Sequence, residues 1–268
     1  MLTSFLIIAI PTVVSIAVIL VVRAKFAPPG GWLGDMPAAA GIYSTVGTGL
    51  AVLLAFLIVA TFDSYETARK ATGTEAVAVQ QQYQMASYLN QPYADRLRGD
   101  VLCYGRAVIY DSWPSMARGV EGNGAQYWVD QTEADMHATP VTDPKQIEVF
   151  AHWLEVTEAR QEGRRSRLAE AQPLVPPFVW VILVLMVVSV LGFQLLFTDP
   201  QARKTGQAVA MGAMTFALFS GLALVWMLDR PFADRGAAIP HNRMTAALAI
   251  MQRTAPPLLP CDGAGHPR

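Results

Sequence analysis

Four runs of this chain, residues 2–22, 41–62, 175–197 and 207–228, contain no Asp, Glu, Lys or Arg. As α-helices rising about 1.5 Å per residue, they reach about 31–35 Å, enough to cross the hydrocarbon core of a bilayer. One lysine in the middle of such a run would cost about 3 kcal/mol of insertion free energy. Exclusion of charge from all four runs therefore predicts an all-α integral membrane protein with four transmembrane helices. Composition agrees, with 53% hydrophobic and only 15% charged residues. The first run could be confused with a secretory signal. It is longer than the usual ~7–15 residue apolar region, follows no basic segment, and is itself followed by Arg23 and Lys25, so it reads as a span. Trp180 and Trp226, near the ends of the third and fourth runs, suit the membrane interface.

Short connections join the spans in two pairs. Arg23 to Ala40, with Pro28, Pro29 and Gly30, joins the first to the second, and 198–206 joins the third to the fourth. The expected organisation is a first transmembrane hairpin (1–62), a soluble insert (63–174), a second hairpin (175–228) and a polar tail with a short helix (229–268). An even number of spans puts insert and termini on one side. Within about twenty residues of the span ends, insert and tail carry Arg69, Lys70, Arg160, Arg164, Arg165, Arg167, Arg230, Arg235 and Arg243. The hairpin side carries Arg23, Lys25, Arg203 and Lys204. That total favours a cytoplasmic insert and termini, whereas the first span, with its positive charge on the C-terminal flank, favours the reverse.

The insert reads as a helical bundle. No turn signal interrupts the chain after Phe62, so the second span is expected to continue as one long helix until Asn90-Gln91-Pro92. A second helix from Pro92 places Tyr93, Leu97, Val101, Tyr104 and Val108 on one face and ends near Trp113-Pro114. Ser115 to Gly124 reads as a loop, followed by a short helix around Gln126 to His137. Thr142 or Asp143 can cap a further helix that has Pro144 in its first turn, Ile147, Phe150 and Leu154 inward, and a distal half dominated by charge.

Little in the chain points to catalysis. His137, His152, His241 and His266 lack metal-site spacing, and His152 with Glu155 reads as a surface hydrogen bond, so neither a metal nor a cofactor is expected. No GxSxG, HExxH or glycine-rich phosphate loop occurs, and the reading is non-enzymatic. With Lys+Arg 20 against Asp+Glu 21, nucleic-acid binding is not expected. Cys103 and Cys261 form no CxxC motif and read as two unpaired thiols, since a disulfide would require both to face an oxidising compartment. Ser44 to Gly49 looks like a potassium filter at first sight. A filter needs an extended re-entrant loop, however, and these residues open an apolar span.

The same segment carries a stripe of small residues, Ala40, Ser44, Gly47, Ala51 and Ala55, at helical spacing. The fourth span repeats it with Gly206, Ala210, Ala213, Ala217 and Gly221. Small residues let helix backbones approach closely where lipid supplies no hydrophobic drive, so these faces are candidate helix-packing or oligomer interfaces. The four spans contain no acid, which disfavours proton-coupled or ion-coupled transport. A pore lined by apolar and hydroxyl groups would need several subunits, because four helices enclose little space.

A glycine-containing span running into 62–89, then YADRLRGDVLCYGRAVIYDSW (93–113), and LDRPFA (228–233) after the last span, together resemble the bestrophin-like family of bacterial membrane proteins. Glu75, Arg96, Tyr104, Trp113, Arg230, Pro231 and Phe232 carry the likeness, which extends over most of the chain. Ala233-Asp234-Arg235-Gly236 departs from the family's usual glycine after Pro-Phe. The resemblance implies a multi-pass plasma-membrane protein, a ring-shaped homo-oligomer such as a pentamer, and conduction of small anions. No aromatic neck or acidic calcium clasp of the true bestrophins is found to carry across. The alternative reading is a non-conducting scaffold whose insert and tail bind a partner.

Overall fold

Charge-free composition becomes four long helices in the computed structural model, which describes residues 2–29, 31–33, 37–120 and 122–268. Gly30 of the first connection and Glu121 of the insert's first loop lie outside the described residues. The helices α1 (Leu2–Lys25), α2 (Pro37–Ala86), α7 (Pro177–Leu196) and α8 (Lys204–Leu228) are long and apolar enough to cross a membrane. Between α2 and α7 lie α3 (Tyr93–Ala107), α4 (Trp113–Ala117), α5 (Gly124–Ala138) and α6 (Pro144–Ala169), and after α8 comes α9 (Asn242–Met251). Among the described residues there is no strand, only an isolated bridge between Cys261 and Pro267. The chain divides into two compact units. The first comprises Met1–Ser64, Pro173–Asp229 and Arg235–Ala237; the second comprises Tyr65–Gln172, Arg230–Asp234 and Ala238–Arg268.

In the first unit the described contacts cross between the two pairs of spans that short loops join. Ser15 of α1 meets Thr215 of α8 at 3.2 Å, and a Cβ at Gly212 of α8 would stand 2.8 Å from Ile16 Cδ1. Arg23, at the end of α1, donates to Gln207 Oε1 (2.8 Å) and to the carbonyls of Pro200 and Ala202. The α2 helix packs on α7 and α8 through Leu50, Leu54, Leu183, Val187, Val190, Leu218 and Val225, all buried. Without water in the bilayer, polar side chains must find partners inside the protein. Thr215 accordingly donates to Gln194 Oε1 at 3.3 Å, and both residues are buried. Residues Ser44 to Gly49 lie within the continuous α2 helix, so they form no extended loop.

The second unit is built on the apolar face of α3. Leu97, Val101, Tyr104 and Val108 are almost wholly buried. The α2 helix ends at Ala86, before the expected stop at Asn90. The α3 helix, by contrast, does not end at Trp113-Pro114. One π-helical turn, Val108–Ser112, leads into α4, where Pro114 sits in the first turn and needs no N–H partner. The α6 helix is capped by Asp143, whose side chain accepts from Lys145 N at 3.0 Å. Its buried face is Trp153, Val156, Arg160, Gly163 and Arg167, while Ile147 and Leu154 are exposed. Of the three residues expected inward, Phe150 packs against the core and is half-buried, and the rest of the inward face differs because an apolar count overlooks arginines buried by pairing or ring stacking.

The tail belongs to this second unit. Cys103 of α3 and Cys261 form a disulfide with a Cα–Cα distance of 5.9 Å, which corrects the reading of two free thiols. A separation of 158 residues says nothing about proximity in space. The tail is also held by Trp128 Nε1, which donates to Gly265 O at 2.7 Å, and by Arg106 Nη1, which donates to Asp262 O at 2.9 Å. Gly265 has φ +89°, and a Cβ there would meet the Ala107 nitrogen at 2.5 Å, so only glycine fits this contact.

Candidate functional site

A glutamate fully removed from water must be paired, and Glu75 of α2 is 0% exposed. Its carboxylate receives Arg167 Nε at 2.5 Å on Oε2 and Arg167 Nη2 at 2.9 Å on Oε1. Tyr104 of α3 donates its hydroxyl to the same Oε1 at 2.5 Å. Arg167 is also 0% exposed, lies over the Trp113 ring at 5.4 Å, and places Nη1 3.1 Å from Met116 Sδ. A second arginine of α6, Arg160, stacks over the Tyr104 ring at 4.9 Å. Close helix approach makes this possible: at Gly163 a Cβ would stand 2.8 Å from the Glu75 nitrogen, so any side chain there would push α6 away from α2.

The electrostatics of the cluster follow from burial and pairing. Burial works against the Arg167 charge, but Glu75, aided by Tyr104, more than offsets this and moves its pKa up. Burial, and then the charge of Glu75, push the Tyr104 phenol upward, so it stays a hydrogen-bond donor. Arg160 is shifted down, chiefly by burial, despite the favourable influence of Tyr104 and Glu75. Its Nε has no acceptor among the described residues. Among the described residues the buried carboxylate is paired with Arg167, and Arg160 reaches the cluster through the Tyr104 ring. Arg160 lines a 290 Å³ cavity between α5 and α6, together with Glu133 and Glu158.

A second acidic feature joins α3 and α5. Asp100 is 2% exposed, and its Oδ2 has no N–H or O–H donor among the described residues. The Asp135 carboxyl lies within hydrogen-bonding reach, and two carboxyls bond only when one holds a proton. Burial, then this bond and the Asp135 charge, push the Asp100 pKa from 3.8 to about 8, against a smaller opposing effect of Arg96.

The residues singled out in the sequence separate into groups. Glu75, Tyr104 and Trp113 meet in the buried cluster, and Phe232 joins them through a T-shaped contact with Trp113 at 5.5 Å between ring centroids. Pro231 is buried beside Phe232 and accepts from Ile239 N at 2.8 Å. Arg96 is exposed on α3 and lines the groove near Asp100, and Arg230 is half-buried and makes none of the cluster's bonds. Sequence reading missed Arg160, Arg167 and Asp100. The signal for the arginines was their spacing of seven along α6, which puts both on one face. In the first unit, Ser44, Ala51 and Ala55 of α2 and Ala210, Ala213 and Ala217 of α8 are exposed. Gly47 and Gly221 are half-buried, with Met214 Cε 3.8 Å and Leu54 Cδ1 3.4 Å from where a Cβ would stand.

Four helices of membrane-crossing length, with a helical second unit organised around a buried Glu–Arg–Tyr cluster, define a multi-pass helical membrane protein. The Bestrophin-like domain matches residues 12–238, and the chain belongs to the bestrophin-like family. Solved structures agree in fold. A membrane protein variant superposes with TM-score 0.65 at 13% identity, covering 93% of this chain and 100% of that one. Two variants of a bacterial bestrophin homolog from Klebsiella pneumoniae give TM-scores of 0.64 and 0.63, each at 12% identity. They cover 91% and 92% of this chain and 98% and 96% of theirs. No curated protein matches.

Proposed function

We propose that the protein is an oligomeric channel of a bacterial plasma membrane that passes small anions. The observation that carries this reading is the exposure of Ser44, Ala51 and Ala55 on α2 and of Ala210, Ala213 and Ala217 on α8. Small side chains offer lipid little contact but let helix backbones approach closely. The described packing within the chain leaves these positions open, so a neighbouring copy of the chain is the partner that uses them. Membership of the bestrophin-like family supports transport rather than catalysis. Spans without acids suit a passive pore better than a coupled transporter.

The test is salt-gradient-driven chloride flux from liposomes holding the purified protein, with Ala51→Leu to disturb the contact between copies and Gly47→Leu to disturb packing on Met214. Flux that scales with protein dose and changes in Ala51→Leu supports the channel. Silence from folded protein at high density overturns it. A second reading, a non-conducting scaffold, draws on the 650 Å³ cavity lined by Ile109, Tyr110, Trp113, His241 and Leu248, where Tyr110 is 60% exposed. That reading gains if the liposomes stay silent.

A further inference from the structure

We infer that the second unit, insert and tail together, faces an oxidising compartment outside the cytoplasm, with the two short connections (23–40 and 198–206) on the cytoplasmic side. The first observation is covalent. The chain has only two cysteines, 158 residues apart, and both are in one disulfide and fully buried. The partners around them fit a permanently seated tail. Trp128 and Arg106 hold the backbone at Gly265 and Asp262, and Arg268 N donates to Pro260 O at 2.9 Å, closing the tail into a loop around the bond. Disulfides form and persist where the compartment is oxidising, and cytoplasmic thiols are kept reduced.

The second observation concerns charge. Positive residues orient a membrane protein when they lie in short segments, whereas loops beyond ~60 residues translocate largely regardless of their charge. The insert, 63–174, exceeds that length, so its arginines carry little weight. The structure also gives two of them another role, since Arg167 is committed to Glu75 and Arg160 lies over Tyr104. What remains is Arg23, Lys25, Arg203 and Lys204 on the short connections against Arg230, Arg235 and Arg243 at the start of the tail. The first of the four spans usually dominates, and Arg23 and Lys25 follow it directly. Disulfide and first span thus point the same way, whether or not the protein conducts.

The experiment uses the full chain in the inner membrane of a Gram-negative host, with the native disulfide left in place. Single cysteines are introduced at two exposed positions, Ile147→Cys on α6 and Gln201→Cys on the connection between α7 and α8. Intact cells are then treated with a maleimide that passes the outer membrane but not the inner. The expected result is that Ile147→Cys is labelled as fully as after lysis, while Gln201→Cys is labelled only after lysis. In acid-quenched cells expressing the unmodified chain, Cys103 and Cys261 should react with a maleimide only after reduction under denaturing conditions. The reverse labelling pattern, or free thiols at Cys103 and Cys261 in quenched cells, overturns the inference.

Discussion

Glu75 and Arg167 are both 0% exposed, and their mutual hydrogen bonds are what make two such charges tolerable inside the second unit. Removing one partner leaves the other charge buried without compensation, which typically costs about 3–5 kcal/mol. Denaturant unfolding of the purified chain should therefore show Glu75→Gln and Arg167→Met each destabilised by about that amount, and the double variant should be closer to wild type than their sum. Full additivity would refute a shared pair. Tyr104→Phe removes one hydrogen bond to a charged group and should cost about 1.5–3 kcal/mol. Asp100 gives a prediction in pH. Its folded carboxyl holds a proton up to about 8, whereas the unfolded one loses it near 3.8. The associated stabilisation is complete below the unfolded value, declines as pH rises, and is gone above the folded value. Melting temperature should fall between about pH 4 and about pH 8, and fall less in Asp100→Asn. A slope unchanged by that substitution would assign the dependence to other groups.

At the scale of elements, Gly163 sets how closely α6 approaches α2. A methyl group there meets backbone at 2.8–3.0 Å, and backbone cannot swing aside as a flexible side chain can. Gly163→Ala should therefore cost about 1–3 kcal/mol through overpacking. Gly73 of α2 has nothing within 4 Å of where a Cβ would stand, so Gly73→Ala should stabilise the helix by about 0.5–1 kcal/mol. Unfolding curves of the two variants should shift in opposite directions, and parallel shifts would show that helix propensity, not helix contact, governs both sites.

For the whole molecule, the disulfide ties the last residues of the chain to α3 across 158 positions. Closing so long a loop restricts the unfolded chain, and replacing Cys103 and Cys261 by serine should lower stability by about 2–4 kcal/mol. Calorimetry of the double-serine variant beside wild type checks this, and equal stability would show that Trp128 and Arg106 alone seat the tail. The four spans were legible in the sequence because exclusion of charge is a property of composition over a window, independent of what packs where. The α3 face was legible, and the α6 cap was narrowed to Thr142 or Asp143, because helical periodicity and capping act over a few residues. Glu75, Tyr104 and Trp113 were singled out, but their meeting point was not, since they come from three helices and are joined by Arg167, which looked like one charge in a charged run. The crossing of α1 to α8, the π turn that carries the chain past Trp113-Pro114, and the Cys103–Cys261 bond were likewise decided only by tertiary structure. Each depends on contacts between residues far apart in the chain, and local pattern holds no record of distance in space.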